Sequence, residues 1–271
     1  MIVVEQPHIY VRGGSSRGII RDSNEDHFTF TFFQAAEHDP TPIALGIVAD
    51  GVGGQPAGEV AARIAVDMIV GEVEQGNINQ PITLLKDAIH TANEKIFTQG
   101  QSNPAQTGMA CTCACALLID KRLFTSSVGD SRIYLFKDRK LHQISRDHTY
   151  AWESNDQQQY EQAVIHRDHP LAHVLTRWLG EAEPPLVDAR FFLSGEESDS
   201  LALNQQGFAL GEEDLVLICS DGLTDMLENS EIEQILQNTP ANTMLEKLIY
   251  TAERNGGEDN ITVILMGGKV T

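Results

Sequence analysis

Four aspartates in the chain share a local setting that suits the binding of hard metal ions. Each sits where an apolar stretch breaks into Gly or Asn, in the contexts IVADGVGG, SVGDSR, LICSDGL and GGEDNITVIL. These residues are Asp50, Asp130, Asp221 and Asp259. A short apolar run predicts a buried strand, so an Asp at its end lies at the sheet edge, where solvent enters. Carboxylates there favour Mg²⁺ or Mn²⁺, which keep several waters and need few protein ligands.

An ordinary structural explanation also exists for each of these aspartates. An Asp-Gly pair after a strand commonly forms a turn, because Asp bonds its own backbone and Gly accepts positive φ. For one such residue alone, the turn is the better interpretation. Four residues in matching settings favour the metal site.

A second polar cluster, RDSNED, occupies residues 21–26 and precedes the alternating run HFTFTF. The alternation predicts a strand with its three Phe side chains on one face. Arg21 offers a rigid fork of donors suited to a phosphate, and Glu25 and Asp26 could orient metal-bound waters. A surface ion pair between Arg21 and these acids is the alternative, and the cluster alone does not decide between the two.

An ordered series of short blocks gives the chain a family resemblance. The blocks are RDSNED, VADGVGGQPAGEVAA, TGMACTCACALL, SVGDSRIYLF, LHQISRDHT, HVLTRWLG, ICSDGLTDML and GGEDNITVIL. Their order resembles that of metal-dependent protein phosphatases of the phosphatase 2C type, from about Gly18 to Met266. The chain is most similar to the compact bacterial Ser/Thr phosphatases. Each block is short, but the ordered series is highly specific.

The resemblance implies a metal-binding role for each matching aspartate. Asp50 would bridge two Mn²⁺ or Mg²⁺ ions, with the backbone carbonyl of Gly51 on one of them. Asp221 and Asp259 would complete the protein ligands of the other ion. Asp130 would hold a third, weaker ion together with Asp221.

The resemblance also implies how the substrate is bound and cleaved. Arg21 matches the arginine that binds the substrate phosphate, and Glu25 and Asp26 match acids that hydrogen-bond to metal-bound waters. The implied reaction is hydrolysis of phosphoserine and phosphothreonine in proteins by a water that bridges the metals. Two cations about 3.5–4 Å apart lower the pKa of such a water and neutralise phosphoryl charge. The sequence has no Walker loop and no Cys-x5-Arg motif.

Two departures from the family pattern affect the expected site. Eukaryotic relatives carry a His directly after Asp-Gly as a proposed proton donor to the leaving group, whereas this chain has Val52. His169 and His173 are candidate donors here, and a helix-surface or packing role is the alternative for each. The second departure is ACT at residues 110–112, where Gly-Thr-Thr is usual, and we expect altered packing rather than altered chemistry there.

A catalytically weak or dead phosphatase-like module that binds a regulatory partner is the alternative function. Loss of a metal aspartate would mark such a module, and this chain keeps all of them, so the enzyme is favoured. A phosphatase dedicated to one partner is a third hypothesis, which would hydrolyse a small aryl phosphate poorly.

Periodicity predicts the elements that position these residues. Apolar runs predict strands at 43–49, 112–119, 123–128, 132–136, 189–193, 215–219 and 261–265. Helical periodicity predicts helices at 59–74, 82–97, 231–237 and 243–254. Strands interspersed with pairs of helices favour an α+β fold. The resemblance implies a central β-sandwich of two antiparallel sheets flanked by helices on both sides, with the metals in a cleft at one end.

Length and composition favour one domain over residues 1–271. The hydrophobic fraction of 41% can bury a sizeable core, and no long linker divides the chain. A polar segment at about 149–172 corresponds to the flap that lies beside the active site in the family. A mobile surface insertion without substrate contact is the alternative for this segment.

The net charge and the apolar pattern limit the classes of partner that the protein can have. A formal net charge of −20 and a pI near 4.7 disfavour binding to nucleic acid or anionic membranes. The apolar stretches are too short for a membrane span, and the N-terminus lacks a secretory pattern, so we expect a cytoplasmic protein. The expected partners are phosphorylated proteins, including those of a cognate Ser/Thr kinase, and the expected state is a monomer.

Alternation places Cys111, Cys113 and Cys115 on one face of a strand. Thiolates in that arrangement cannot converge tetrahedrally on zinc. We therefore expect buried free thiols in a reducing compartment.

Overall fold

Two antiparallel β-sheets face each other at the centre of the molecule. The structure, a computed structural model, describes residues 1–4, 9–52, 57–153, 171, 173–194 and 197–267. His169 and most of the predicted flap lie outside these residues.

The strands of the described residues form two separate sheets. They are β1 Ile2–Val4, β2 Val11–Ser16, β3 His27–Ala36, β4 Asp39–Ala49, β5 Cys113–Ile119, β6 Arg122–Val128, β7 Arg132–Lys137, β8 Lys140–Gln143, β9 Phe208–Ala209, β10 Leu215–Cys219 and β11 Ile261–Gly267. The first sheet has the order β1-β3-β4-β5-β6-β9, and the second has the order β2-β11-β10-β7-β8. All neighbouring strands are antiparallel.

Helices cover the outer face of each sheet. The helices of the described residues are α1 Gly58–Gln75, α2 Pro81–Ser102, α3 Tyr150–Glu153, α4 Asp199–Asn204, α5 Asp221–Thr224, α6 Asn229–Asn238 and α7 Ala241–Arg254. α1 and α2 pack on the first sheet, whereas α6 and α7 pack on the second. The predicted α+β sandwich flanked by helices on both sides is confirmed. Among the described residues, no helix combines the length and apolar character that crossing a membrane requires.

The alternation of side chains along β4 shows how the layers are held together. Leu45 and Ile47 point toward α1 and α2, whereas Ala44 and Val48 point toward the second sheet. All four side chains are at most 1% exposed. A strand that is buried on both faces needs apolar side chains on both. The sequence of β4 is therefore a continuous apolar run and not an alternation of apolar and polar residues. Its end at Ala49 is therefore fixed firmly in the core.

The predicted elements agree with the structure at most positions, with one error. Residues 189–193 do not form a strand, so that prediction is wrong. Phe191 and Phe192 are both buried, which breaks the two-residue alternation of a half-buried strand. Their N–H groups donate to the carbonyl oxygens of Ala202 and Ile144 instead of to a strand ladder.

The predicted arrangement of the thiols is confirmed. Cys111, Cys113 and Cys115 are free and fully buried, and all three face the core between the first sheet and its helices. The Sγ atoms of Cys113 and Cys115 are 3.4 Å apart. Burial raises the pKa of the Cys111 thiol well above its ordinary value, so this thiol stays protonated.

Candidate metal centre

The ends of four strands converge at one end of the sandwich and carry the predicted aspartates. Asp50 directly follows β4, and Asp221 lies two residues after β10 at the start of α5. Asp259 lies two residues before β11, and Asp130 lies in the connection from β6 to β7. This connection joins the two sheets.

These four aspartates line a cleft of about 350 Å³. Its acidic lining consists of Glu25, Asp50, Asp130, Asp221 and Asp259. Arg21, Gly51 and His173 also line it. Of the predicted residues that the structure describes, only Asp26 does not line the cleft, and it lies in the protein interior beside Asp50.

Asp26 is buried, and its carboxyl is hydrogen-bonded to two other parts of the fold. Its Oδ2 atom accepts hydrogen bonds from Ser220 Oγ at 2.7 Å and from Thr262 Oγ1 at 2.6 Å. Burial raises the pKa of Asp26 to about 7, although the two hydroxyl groups act in the opposite direction. The carboxyl therefore joins the start of β3 to the strands that carry Asp221 and Asp259.

Burial and mutual repulsion make these carboxylates hard to ionise in the metal-free protein. The pKa of Asp50 is raised well above its ordinary value by burial and then by Asp26, Asp221 and Asp130. Burial and the charge of Asp221 likewise raise the pKa of Asp130. Burial and Asp259 raise that of Asp221. A cation in the cleft would relieve this repulsion, because an opposite charge favours the ionised form.

The donor atoms of the cleft fit hard divalent ions. Oδ1 of Asp26 and Oδ1 of Asp221 are buried and have no hydrogen-bond partner among the described residues. Such oxygens are normally satisfied by a donor, a water or an ion. The acidic donors are all carboxylate oxygens, which suit Mg²⁺ and Mn²⁺ better than softer metals.

Gly51 allows close packing of the backbone beside Asp50. A Cβ atom at this position would lie 2.5 Å from the carbonyl carbon of Gly58 and 2.8 Å from the carbonyl oxygen of Glu25. Only glycine fits between these two segments. The backbone of Gly51 is therefore held against the N-terminus of α1 and the Glu25 segment.

Arg21 lies at the rim of the cleft and pairs with Asp259. Its Nη2 atom donates to Asp259 Oδ2 at 2.5 Å, and 46% of its side chain is exposed. Partial burial works against the charged form, but the hydrogen bond to Asp259 raises the pKa of Arg21. The guanidinium therefore stays charged and accessible beside the carboxylates.

His173 also lines the cleft, beside an aspartate that the sequence analysis missed. Its Nδ1 atom is 3.5 Å from Asp225 Oδ2, and 48% of its side chain is exposed. One ligand atom from each of His173, Asp221 and Asp225 lies within 4.8 Å of the others. Asp225 follows Asp221 by four residues in DGLTD, the spacing of one helical turn. That spacing was the available signal.

Two further polar residues contribute to the site, and of these Asn260 follows Asp259 as the family resemblance implies. Thr112 Oγ1 accepts from the backbone N–H of Asp50 at 3.1 Å and lies 2.7 Å from Ser131 Oγ. The expectation of altered packing rather than altered chemistry at residues 110–112 stays a prediction, and Thr112 keeps the Thr that is usual at its position. Asn260 donates to the carbonyl oxygen of Ser23 and accepts from the N–H of Glu25, so it fixes the N-terminal cluster.

A comparison with protein families identifies the class to which this fold and cleft belong. Residues 20–266 match the family model described as protein phosphatase 2C. The chain belongs to this family. The family resemblance read from the sequence blocks is thereby confirmed.

Individual relatives agree with this assignment. The serine/threonine phosphatase stp of Listeria monocytogenes is 32% identical over 266 residues, and the alignment covers 95% of each chain. The crystal structure of the serine/threonine phosphatase Stp1 from Staphylococcus aureus superposes with a TM-score of 0.79 at 26% identity, covering 98% of this chain and 100% of that one. The catalytic domain of the serine/threonine protein phosphatase PstP, solved with two manganese ions, gives a TM-score of 0.74 at 28% identity, covering 96% and 97%.

Proposed function

We propose that the protein is a metal-dependent phosphatase that hydrolyses phosphoserine and phosphothreonine in other proteins. The observation that carries this proposal is the single cleft in which five carboxylates meet the accessible guanidinium of Arg21. Membership of the phosphatase 2C family and the likeness to Ser/Thr phosphatases support it. No observation favours the alternative of a catalytically dead binding module.

Two Mn²⁺ or Mg²⁺ ions would be held by Asp50, the carbonyl of Gly51, Asp221 and Asp259. Asp50 is assigned as the bridge from the family resemblance, and its closeness to Asp26, Asp221 and Asp130, which all raise its pKa, supports the assignment. Asp130 is assigned, with Asp221, to a third and weaker ion. When bound, such ions lower the pKa of water and neutralise charge on a phosphoryl group.

The protein itself orients the phosphate and the water. Arg21 binds the phosphate oxygens through its fork of N–H donors, and Asp259 keeps that fork at the rim. Glu25, which lines the cleft, is assigned to accept hydrogen bonds from waters there. Asp26 is assigned the same role from the family resemblance, and its place in the interior beside Asp50 limits it to a water that reaches below the cleft lining.

His173 is our candidate for donating a proton to the leaving oxygen, since Val52 occupies the position where eukaryotic relatives carry a histidine. His173 lines the cleft, and Asp225 orients its ring. The variant His173→Gln should slow hydrolysis of phosphoserine peptides, whose alkoxide is a poor leaving group, more than hydrolysis of p-nitrophenyl phosphate. Equal losses on both substrates would reject proton donation by His173. His169 keeps its place as the second candidate from sequence alone.

At the level of the chain, we propose a single domain over residues 1–271 with a flap at about 149–172. We also propose that it acts as a monomer and that its substrates include those of a cognate Ser/Thr kinase. The two ends of the proposed flap lie side by side, because Thr149 and Leu175 form an antiparallel β-bridge.

The direct test is release of inorganic phosphate from phosphoserine and phosphothreonine peptides. We expect release in Mn²⁺ or Mg²⁺, none in EDTA, and recovery when the metal is restored. Turnover that persists in EDTA would exclude a metal-dependent enzyme. Binding of phosphopeptides without release under any metal condition would instead support the binding-module alternative.

A further inference from the structure

The connection that carries Asp130 is a tight crossing between the two sheets. Gly129 has φ +101°, a backbone conformation that favours glycine. A Cβ at Gly129 would lie 2.6 Å from Cβ and Cγ2 of Thr112. The position of the Asp130 carboxylate therefore depends on how the backbone of residue 129 is held.

His148 holds both backbone polar groups of Gly129. The N–H of Gly129 donates to His148 Nδ1 at 2.9 Å, and the N–H of His148 donates to the carbonyl oxygen of Gly129 at 3.0 Å. His148 is 1% exposed. A buried N–H that lost its acceptor would be costly, so this contact is expected to be specific.

The neighbouring residue of His148 holds the other side of the same turn. Arg132 Nε donates to both carboxylate oxygens of Asp147, at 3.0 and 2.9 Å, and its Nη2 donates to Oδ2 at 2.6 Å. Asp147 and His148 thus fix positions 132 and 129 on either side of Asp130.

The ring of His148 is itself oriented by an acid. Because Nδ1 accepts a hydrogen bond, the ring proton resides on Nε2, which lies 3.4 Å from Asp188 Oδ2. Burial works against ionisation of Asp188, but hydrogen bonds from His148 and Arg190 hold its pKa well below the ordinary value. The charged carboxylate therefore selects this tautomer, as in other carboxylate–histidine pairs.

The backbone of His148 also reaches the wall of the cleft that carries His173. Its carbonyl oxygen accepts from the N–H of Thr176 at 2.9 Å, and the N–H of Tyr150 donates to the carbonyl oxygen of Val174 at 2.7 Å. One buried residue therefore bonds to the Asp130 turn and to the segment that follows His173.

We propose that His148 is a positioning residue of this phosphatase, which sets the Asp130 carboxylate for the weak third ion by anchoring Gly129. The proposal rests on the proposed function through the role assigned to Asp130. The anchor itself rests only on the contacts of His148 with Gly129 and Asp188.

Two substitutions separate the contacts of the ring. In His148→Asn, the amide oxygen occupies the place of Nδ1 and can accept from Gly129, but the side chain is too short to reach Asp188. In His148→Gln, the amide nitrogen occupies the place of Nε2 and can donate to Asp188, but no acceptor faces Gly129. A merely structural role for the buried ring would make both variants behave alike.

The first readout is activation by Mn²⁺, with Asp130→Ala measured in parallel. We expect His148→Gln to raise the Mn²⁺ concentration for half-maximal turnover by about tenfold or more, the usual range for residues that orient metal ligands. Asp130→Ala should shift it in the same direction, and His148→Asn should remain close to the parent. Calorimetry should show the two tight sites unchanged in all three variants. A parent-like curve for His148→Gln, or equal shifts in both His148 variants, would overturn the proposal.

The second readout does not depend on catalysis. In EDTA, exchange of the Gly129 amide hydrogen should be slow in the parent and in His148→Asn, and fast in His148→Gln. If Asp130→Ala leaves the activation curve unchanged, the third-ion assignment fails, and amide exchange still decides whether His148 anchors the turn. Should His148→Gln not fold, the ¹⁵N chemical shifts of the His148 ring in the parent protein provide the test, because they show which ring nitrogen carries the proton. A proton on Nδ1 instead of Nε2 would overturn the anchor.

Discussion

At the scale of single residues, the cleft concentrates acids where they are hardest to ionise. Asp130 is buried and Asp50 and Asp221 are half-buried, and desolvation together with neighbouring carboxylates raises the pKa of each. Structural ion pairs would show the opposite trend, with acids matched to buried cations. Like charges gathered around a solvent-accessible cleft are characteristic of functional sites. Ligand binding therefore explains the arrangement of these aspartates better than a contribution to the stability of the fold does.

This arrangement predicts that the metal-free protein becomes less stable as the pH rises. The pKa of Asp26 is raised by burial to about 7, whereas an unfolded Asp titrates near about 3.9. Between these values the folded state binds more protons than the unfolded one, so the free energy of unfolding falls as the pH rises. In EDTA we expect the Tm to fall as the pH is raised through this window.

Saturating Mn²⁺ should weaken or reverse that trend, because metal ions bind the deprotonated carboxylates. Thermal unfolding at several pH values, with EDTA and with Mn²⁺, measures both effects. A Tm that rises with pH in EDTA would mean that the acids are stabilised by partners other than metal ions.

Arg21 gives a second prediction at this scale. A contact to the phosphate that already exists in the ground state should appear mainly in KM. We expect Arg21→Ala to cost about 1.5–3 kcal/mol in kcat/KM, the range for charged hydrogen bonds. Steady-state kinetics and inhibition by inorganic phosphate measure the loss. Arg63→Ala, on the exposed face of α1, is the matched control. A parent-like KM and phosphate inhibition would make Arg21 only an ion-pair residue of Asp259.

At the scale of elements, the sequence predicts what depends on local pattern. Continuous apolar runs identify β4 and β10, and the aspartates that follow them are visible for the same reason. The strand β2 escapes detection, since VRGGSS has little strand propensity and is recruited by pairing with β11. Thr112 and His148 act on the site through partners distant in sequence, and such contacts exist only once the sheets are assembled. Asp225 lies one helical turn after Asp221, so its spacing was visible in the sequence, but its contact with His173 was not.

The turn after β4 gives a prediction at the same scale. Gly51→Ala should push this turn away from Gly58 and Glu25 and abolish most turnover while the far-UV spectrum stays unchanged. Gly71→Ala is the matched control, because nothing lies within 4 Å of the added Cβ in the middle of α1. We expect it to leave turnover intact and to stabilise the fold by about 0.5–1 kcal/mol. Parent-like turnover in Gly51→Ala would show that the close packing at residue 51 is dispensable.

At the scale of the whole molecule, the net charge of −20 should influence which substrates are met fastest. An acidic surface accelerates encounter with cationic partners and repels anionic ones. We expect phosphopeptides with flanking Lys and Arg to have a higher kcat/KM at low salt than those with flanking Asp and Glu. The difference should shrink as ionic strength rises and screening shortens the reach of the charges. Equal values for both peptides at low salt would exclude steering by the net charge.

The most direct measurement is a calorimetric titration of Mn²⁺ into Asp50→Asn, combined with turnover of a phosphoserine peptide. A neutral amide cannot hold two dications together, so we predict loss of tight Mn²⁺ binding and of metal-dependent turnover in a protein that still folds. Asp67→Asn, which removes an exposed acid from α1, should match the parent in both assays. Parent-like binding and turnover in folded Asp50→Asn would contradict the assignment of this cleft as a metal-dependent active site.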